Sequence, residues 1–298
     1  MTADAHGKFN VRRLVVFGCG YVGAEVARQA LARGLRVTAL TRNEAKAAVL
    51  RDEGIEVVVA ELSSPAWHER IAGGAELVLN CVSSGGGDAG SYRRSYVDGM
   101  ASILAWARAS APVGTMVYTS STSVYPQGGG AVVDEASPTG GDERAEVLLE
   151  AEARLRAEGA GCRRWFILRL AGIYGPGRHH VLSQVRAGEI AGRADHRLNL
   201  AHREDIAAAV WACFDAPASV ANETFNVADD APAKKREVAA WLAERLGLPE
   251  PRFTGEAAAG RRGITPDRTI VNERLKRVLG WQPRHPSFRE GYASLLSR

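Results

Sequence analysis

Four cysteines in 298 residues, Cys19, Cys81, Cys162 and Cys213, stand far apart and form no C-x-x-C pair. That excludes a disulfide framework and a cysteine zinc site, and leaves them as small buried hydrophobes of a reducing compartment. Long apolar runs are missing too, since no stretch approaches the roughly 20 residues a membrane-spanning helix needs. Met1 to Asn10 is polar and lacks the apolar segment of a signal peptide, so it is expected to fray. Basic residues never gather into a run: 38 Lys and Arg against 34 Asp and Glu give a net charge of only +4. Neither a nucleic-acid stripe nor a polybasic membrane patch is expected. There is no internal repeat or low-complexity tract, and no lysine between Ala47 and Ala233. These absences leave a soluble cytoplasmic protein as the expectation, with a small molecule as partner, no nucleic acid or membrane, and a homodimer as the assembly to test.

What is present starts at Leu14-Val15-Val16-Phe17-Gly18-Cys19-Gly20-Tyr21-Val22-Gly23, an apolar run that breaks into three glycines and continues as a helical pattern to Arg33. A strand that feeds a helix through such a tight turn points backbone N–H groups and the helix N-terminus at one spot. That spot suits a dinucleotide pyrophosphate: the first glycine allows the turn, the second admits phosphate, and the third lets helix and strand pack closely.

The pattern then repeats. Strands are expected at Arg36 to Leu40, Glu56 to Ala60, Leu77 to Cys81, Thr115 to Thr119, Trp165 to Arg169 and Glu223 to Val227, with helices between them. Apolar strands alternating with amphipathic helices imply an α/β doubly wound parallel sheet. The helices expected downstream of the first βα unit are Asn43 to Glu53, Tyr92 to Ser110, Asp142 to Glu158, Val181 to Ala187, Asp205 to Phe214, Lys235 to Leu246, Asn272 to Leu279 and Phe288 to Leu296. A glycine-rich loop, Ser83 to Ser91, follows the fourth strand on the side where such sheets bind ligands. Residues 1–174 with 200–228 are assigned to the dinucleotide-binding domain. Residues 175–199 with 229–298 are assigned to a smaller, mainly C-terminal substrate lobe.

Five pieces in order along the chain carry a resemblance: the Gly18 to Gly23 turn, Thr119-Ser-Ser-Thr-Ser-Val-Tyr125, Leu168-Arg-Leu-Ala-Gly-Ile-Tyr-Gly-Pro-Gly177, His202-Arg-Glu-Asp205-Ile, and Phe225-Asn-Val-Ala-Asp-Asp-Ala-Pro232. Together they resemble the extended short-chain dehydrogenases/reductases of the NAD-dependent epimerase/dehydratase group. Leu279-Gly-Trp-Gln-Pro followed by Pro286-Ser-Phe-Arg-Glu-Gly291 is similar to the ending of its atypical, YeeZ-like branch. The resemblance implies a Rossmann domain, a nicotinamide dinucleotide, and nucleotide-sugar or related carbonyl substrates. It also implies a serine after the fifth strand, matched by Ser121, and a Tyr-x-x-x-Lys pair on the next helix. That pair is absent: Arg144 and Leu148 stand at its two positions, with no tyrosine from Pro126 to Ile173.

Two classes of function follow. In one, an enzyme uses Ser121 with a relocated acid, Tyr125 by choice, given a nearby cation such as Arg144 or Arg178. Tyr174, His179, His180 and His202 are the other titratable groups of these loops, and Arg144, Tyr174, Arg178 and His202 are the expected substrate contacts. In the other, the protein binds the nucleotide without turnover, as a redox-responsive module, and the tyrosines are packed loop aromatics. Tandem His179-His180 lacks a third ligand, so no metal is expected. Asp205 is expected to support the first turn of its helix. Around the cofactor, Gly18, Cys19, Gly20, Tyr21, Val22 and Gly23 are expected at the pyrophosphate. Glu61, Leu62, Val82 and Ser83 are expected along the nucleotide. The second strand ends in Thr41-Arg42-Asn43 without the carboxylate that selects NAD(H), so NADP(H) is expected over NAD(H), with Arg42 on the 2′-phosphate.

Overall fold

The computed structural model describes residues 12–84, 88–109, 111–255 and 266–297. The expected fraying of Met1 to Asn10, Ser110 at the end of its helix, residues 85–87 of the glycine-rich loop and residues 256–265 lie outside them. In chain order the first elements are β1 (Arg13–Phe17), α1 (Tyr21–Ala32), β2 (Arg36–Thr41), α2 (Glu44–Asp52), β3 (Glu56–Val59) and β4 (Leu77–Asn80). Next come α3 (Ala89–Arg93), α4 (Gly99–Ala109), β5 (Val113–Ser121), β6 (Ala131–Val133), α5 (Glu143–Glu158) and β7 (Cys162–Leu170). β8 (Gly172–Tyr174), α6 (His180–Arg186), β9 (Glu189–Ile190), β10 (Arg197–Leu198), β11 (Leu200–His202), α7 (Arg203–Phe214) and β12 (Glu223–Val227) follow. The chain ends in β13 (Ala233–Lys234), α8 (Lys235–Leu246), β14 (Arg252–Phe253), β15 (Arg268–Ile270), α9 (Glu273–Leu279) and α10 (Phe288–Leu296).

Seven strands form one parallel sheet in the order β12-β7-β5-β4-β1-β2-β3. Its register runs Leu14 against Val37 and Leu77, Thr38 against Glu56, and Leu77 against Thr115. The strands are apolar on both faces, as β1 shows with Leu14, Val15, Val16 and Phe17 all buried, which is what a sheet covered on both sides requires. Among the described residues there are also four two-stranded ladders, β6–β15, β8–β11, β9–β14 and β10–β13.

By compactness the chain divides into two units. The first comprises residues 1–120, 142–168 and 210–224, and the second 121–141, 169–209 and 225–298. The first unit's core centres on Phe17, whose ring lies 5.0 Å from Trp67 and 5.6 Å from Trp106. Both indoles stay satisfied, Trp67 donating to the Leu62 carbonyl and Trp106 to that of Ile71, each at 2.9 Å. The second unit has its own core, where Val238 and Leu242 of α8 belong to one buried cluster with Leu182, Val185, Phe288 and Tyr292.

The helix expected from Tyr92 to Ser110 is not continuous. A π-helical turn, Arg94–Asp98, separates α3 from α4. Such a turn inserts a residue into the helical ladder while leaving an amphipathic pattern on either side.

Candidate dinucleotide and catalytic residues

At the end of β1, Gly18 has φ +84°, and a Cβ there would stand 2.6 Å from the Val82 backbone. Gly23 is equally constrained, since a Cβ would meet the Gly18 carbonyl at 2.6 Å and Cys81 Sγ at 2.7 Å. Gly20 differs: its nearest such neighbour lies at 3.9 Å, so that side of the turn opens outward. No side chain caps α1 at Gly20, and its first turn holds no acidic residue. A helix start with no side-chain cap and the positive end of its dipole fits an anionic pyrophosphate there. Cys19 and Val22 are buried, so toward a ligand at this turn they present backbone, and Leu62, after β3, is buried too. Burial pushes the Cys19 thiol up to about 12, and it stays protonated. Cys81 donates its S–H to the Gly18 carbonyl at 3.1 Å and holds the turn from beneath.

At the end of β2, Arg42 is exposed and makes no hydrogen bond or ion pair among the described residues. Its neighbours are committed locally. Asn43 caps α2 by accepting from the Lys46 N–H at 2.9 Å, and Thr41 Oγ1 accepts from Asn43 N at 3.2 Å. Both bonds use acceptor oxygens and leave the Thr41 hydroxyl hydrogen and the Asn43 amide N–H to donate, as expected of them beside a 2′-phosphate. Glu61 and Ser83 are exposed, and Val82 is half-buried, with its N–H on Asn80 Oδ1.

On α5, capped by Asp142, the position expected of a tyrosine holds Arg144, half-buried, its guanidinium 5.4 Å from the Tyr92 ring centroid. Leu148, at the lysine position, is buried. One turn on, the fully buried Glu152 accepts from Ser120 Oγ at 2.7 Å and pairs with Arg156 at 2.9 Å.

In the second unit, Ser121 ends β5 half-exposed, and its Oγ accepts from the Ser123 N–H at 3.1 Å. That bond uses a lone pair and leaves the hydroxyl hydrogen to donate. Tyr125 is only 1% exposed. Its phenol donates to Asn226 Oδ1 at 2.8 Å and accepts from Arg169 Nη1 at 2.9 Å. The cation beside Tyr125 is thus Arg169, which corrects the expectation of Arg144 or Arg178. Burial raises the Tyr125 pKa, and the Arg169 charge and hydrogen bond offset part of that rise. Arg268, also buried, ties the same loop by donating to the Tyr125, Gln127 and Thr122 carbonyls. Asn226 and Arg169 had a sequence signal, each a polar residue one place before the end of an apolar strand, and Arg268 had none.

Tyr174 and His202 lie opposite each other where β8 pairs with β11. Their rings are 5.2 Å apart, both residues are buried, and burial lowers the His202 pKa to about 4. Among the described residues Tyr174 Oη, His202 Nε2 and Asp229 Oδ1 are buried without hydrogen-bond partners. Desolvation raises Asp229 to about 8. Asp205 lies in the first turn of α7 as expected, but its carboxylate binds elsewhere, accepting from Arg284 N, His285 N and His285 Nδ1. Arg178 is exposed and closes a tight turn with Gly175 through two backbone bonds. His179 and His180 are partly exposed, with His179 Nδ1 3.2 Å from Ser183 Oγ.

A parallel sheet with an uncapped glycine turn at the end of its first strand defines a dinucleotide-binding α/β protein. The chain belongs to the NAD dependent epimerase/dehydratase family, whose sequence profile matches residues 14–228. It is 26% identical to Protein YeeZ of Escherichia coli K12 over 284 residues, 93% of this chain and 97% of that protein. It is 28% identical to the 3-diazoavenalumate denitrifying reductase of a Streptomyces species over 319 aligned residues, 94% of this chain and 99% of that one. The structure of MoeE5 in complex with UDP-glucose and NAD shares the fold, with a TM-score of 0.81 at 20% identity over 96% of this chain and 97% of that one. No helix among the described residues is long and apolar enough to cross a membrane.

Proposed function

We propose that this chain binds NADP(H) in preference to NAD(H) and acts as an oxidoreductase on a carbonyl compound, a nucleotide sugar or a related anion, without a Tyr-x-x-x-Lys pair. The observation that carries the cofactor reading is Arg42, an exposed guanidinium with no protein partner among the described residues, on a strand end that lacks a selecting carboxylate. Backbone groups of Gly18 to Gly23 would hold the pyrophosphate, and the open side of Gly20 gives it room. Bound there, the dinucleotide supplies hydride-transfer chemistry. Ser121 then donates its free O–H to the substrate's carbonyl oxygen and stabilises the negative charge that develops on it. Tyr125 is a positioning residue, because its phenol is already saturated by Arg169 and Asn226. Arg144 recognises an anionic group of the substrate through its planar fork. The UDP-glucose held by MoeE5 and the reductase activity named for the Streptomyces relative both support this class of substrate and reaction.

Nucleotide binding without turnover is the second reading. The observations that favour it are the buried Leu148 at the lysine position and the saturated Tyr125. NADPH oxidation and NADP⁺ reduction across nucleotide sugars, ketones and aldehydes separate the two. Turnover that falls about 10²- to 10³-fold in Ser121→Ala, with NADPH binding kept, supports the enzyme. Binding with no turnover of any panel member supports the second reading, and absence of NADPH binding overturns both.

A further inference from the structure

We propose that His202, Asp205 and His285, all in the second unit, form a binding site for a divalent transition-metal ion of the zinc class. Each of the three residues is buried and offers one ligand atom, and these atoms lie within 4.8 Å of one another. Two imidazole nitrogens and one carboxylate oxygen suit zinc-like ions, whereas magnesium and calcium take oxygen ligands. Two residues stand three positions apart where β11 passes into α7, and the third comes from the loop before α10. The rings of His202 and His285 lie 3.8 Å apart, and His285 Nδ1 is 3.1 Å from Asp205 Oδ2. Zinc bonds of about 2.1 Å in tetrahedral geometry need donors roughly 3.4 Å apart, so this pair is already near ligand spacing.

The second observation is His202 Nε2, buried and without a hydrogen-bond partner among the described residues. A neutral imidazole in that state is costly unless something accepts its proton or uses its lone pair. His202 Nδ1 accepts from Glu204 N at 3.3 Å, a long bond that is given up as the ring proton moves from Nε2 to Nδ1. Asp205 keeps Oδ1 on the Arg284 N–H at 2.7 Å while Oδ2 turns to the ion. The proton that His285 Nδ1 holds toward Asp205 passes to Nε2 of the same ring, so His285 binds as a neutral imidazole with no net proton released. Glu204 Oε2, 4.0 Å from His285 Nε2, is the nearby carboxylate that can orient that ring. The ion would clasp the start of α7 to the segment that leads into α10.

The test uses the tag-free full chain stripped with a chelator, then dialysed against Zn²⁺ and, separately, Co²⁺. One equivalent of zinc by elemental analysis, an upward Tm shift, and an intense visible Co²⁺ band of the tetrahedral kind are expected. His202→Ala and His285→Ala should each lose the ion, while a His179→Ala/His180→Ala variant keeps it. Less than half an equivalent in the wild type at saturating zinc overturns the proposal whether or not the variants fold. So does a full equivalent retained by His202→Ala, or loss of the ion on removing the tandem pair.

Discussion

Two glycines three residues apart show how much one methyl group decides. Gly23→Ala puts a Cβ against the Gly18 carbonyl and Cys81 Sγ, so a loss of about 1–3 kcal/mol is expected in denaturant unfolding. Gly20→Ala meets nothing closer than 3.9 Å. It should cost folding no more than about 1 kcal/mol, because Gly20 is the N-cap of α1, where alanine is less favoured than glycine. Its dinucleotide affinity should nevertheless fall at least tenfold, as the methyl takes the phosphate's room; unchanged affinity would show that the pyrophosphate does not lie there. Asp229 makes a separate prediction. Its folded pKa, raised to about 8 by burial, lies above the unfolded value of 3.8. The folded state therefore keeps a proton that the unfolded chain releases. The stability this group supplies is fully present below about pH 4 and is lost as pH rises through 8. Asp229→Asn abolishes that loss, so its Tm relative to wild type should be more favourable at pH 9 than at pH 5. A difference independent of pH would contradict it.

At the scale of elements, the loop after β5 depends on a phenol. Tyr125→Phe leaves the buried Arg169 Nη1 and Asn226 Oδ1 without that partner, so about 1–3 kcal/mol of stability should be lost. If Tyr125 positions rather than donates, kcat should fall without the loss of a titrating limb from the pH–rate profile; loss of that limb would make it the acid. Regular elements were legible from sequence because their periods are: β12, α8 and α10 run over the expected residues, and Asn43 and Asp142 cap α2 and α5. Two- and three-residue strands such as β9 or β13 are too short to show a period, and a π turn leaves the flanking helical patterns intact. The partners of Asp205 were out of reach for another reason. They lie 79 and 80 residues along the chain, a distance no local pattern spans.

For the whole molecule, the nucleotide-binding turn was legible, because strand, glycines and helix are contiguous. The surroundings of Ser121 and Tyr125 were only half legible, because they join segments near 125, 169, 226 and 268. The absent Tyr-x-x-x-Lys pair was plain in the sequence, and the structure adds what stands in its place: a guanidinium over Tyr92 and a buried leucine. Whatever the substrate, the central claim is that the molecule reads a 2′-phosphate through Arg42. Titration of NADPH and NADH into wild type and Arg42→Ala, followed by nucleotide fluorescence, tests it most directly. Tighter NADPH binding in the wild type is predicted. It should weaken about 10- to 100-fold in Arg42→Ala, the worth of one charge-assisted contact, while NADH binding stays unchanged. Tighter NADH binding in the wild type, or equal NADPH affinity in both proteins, would contradict the account.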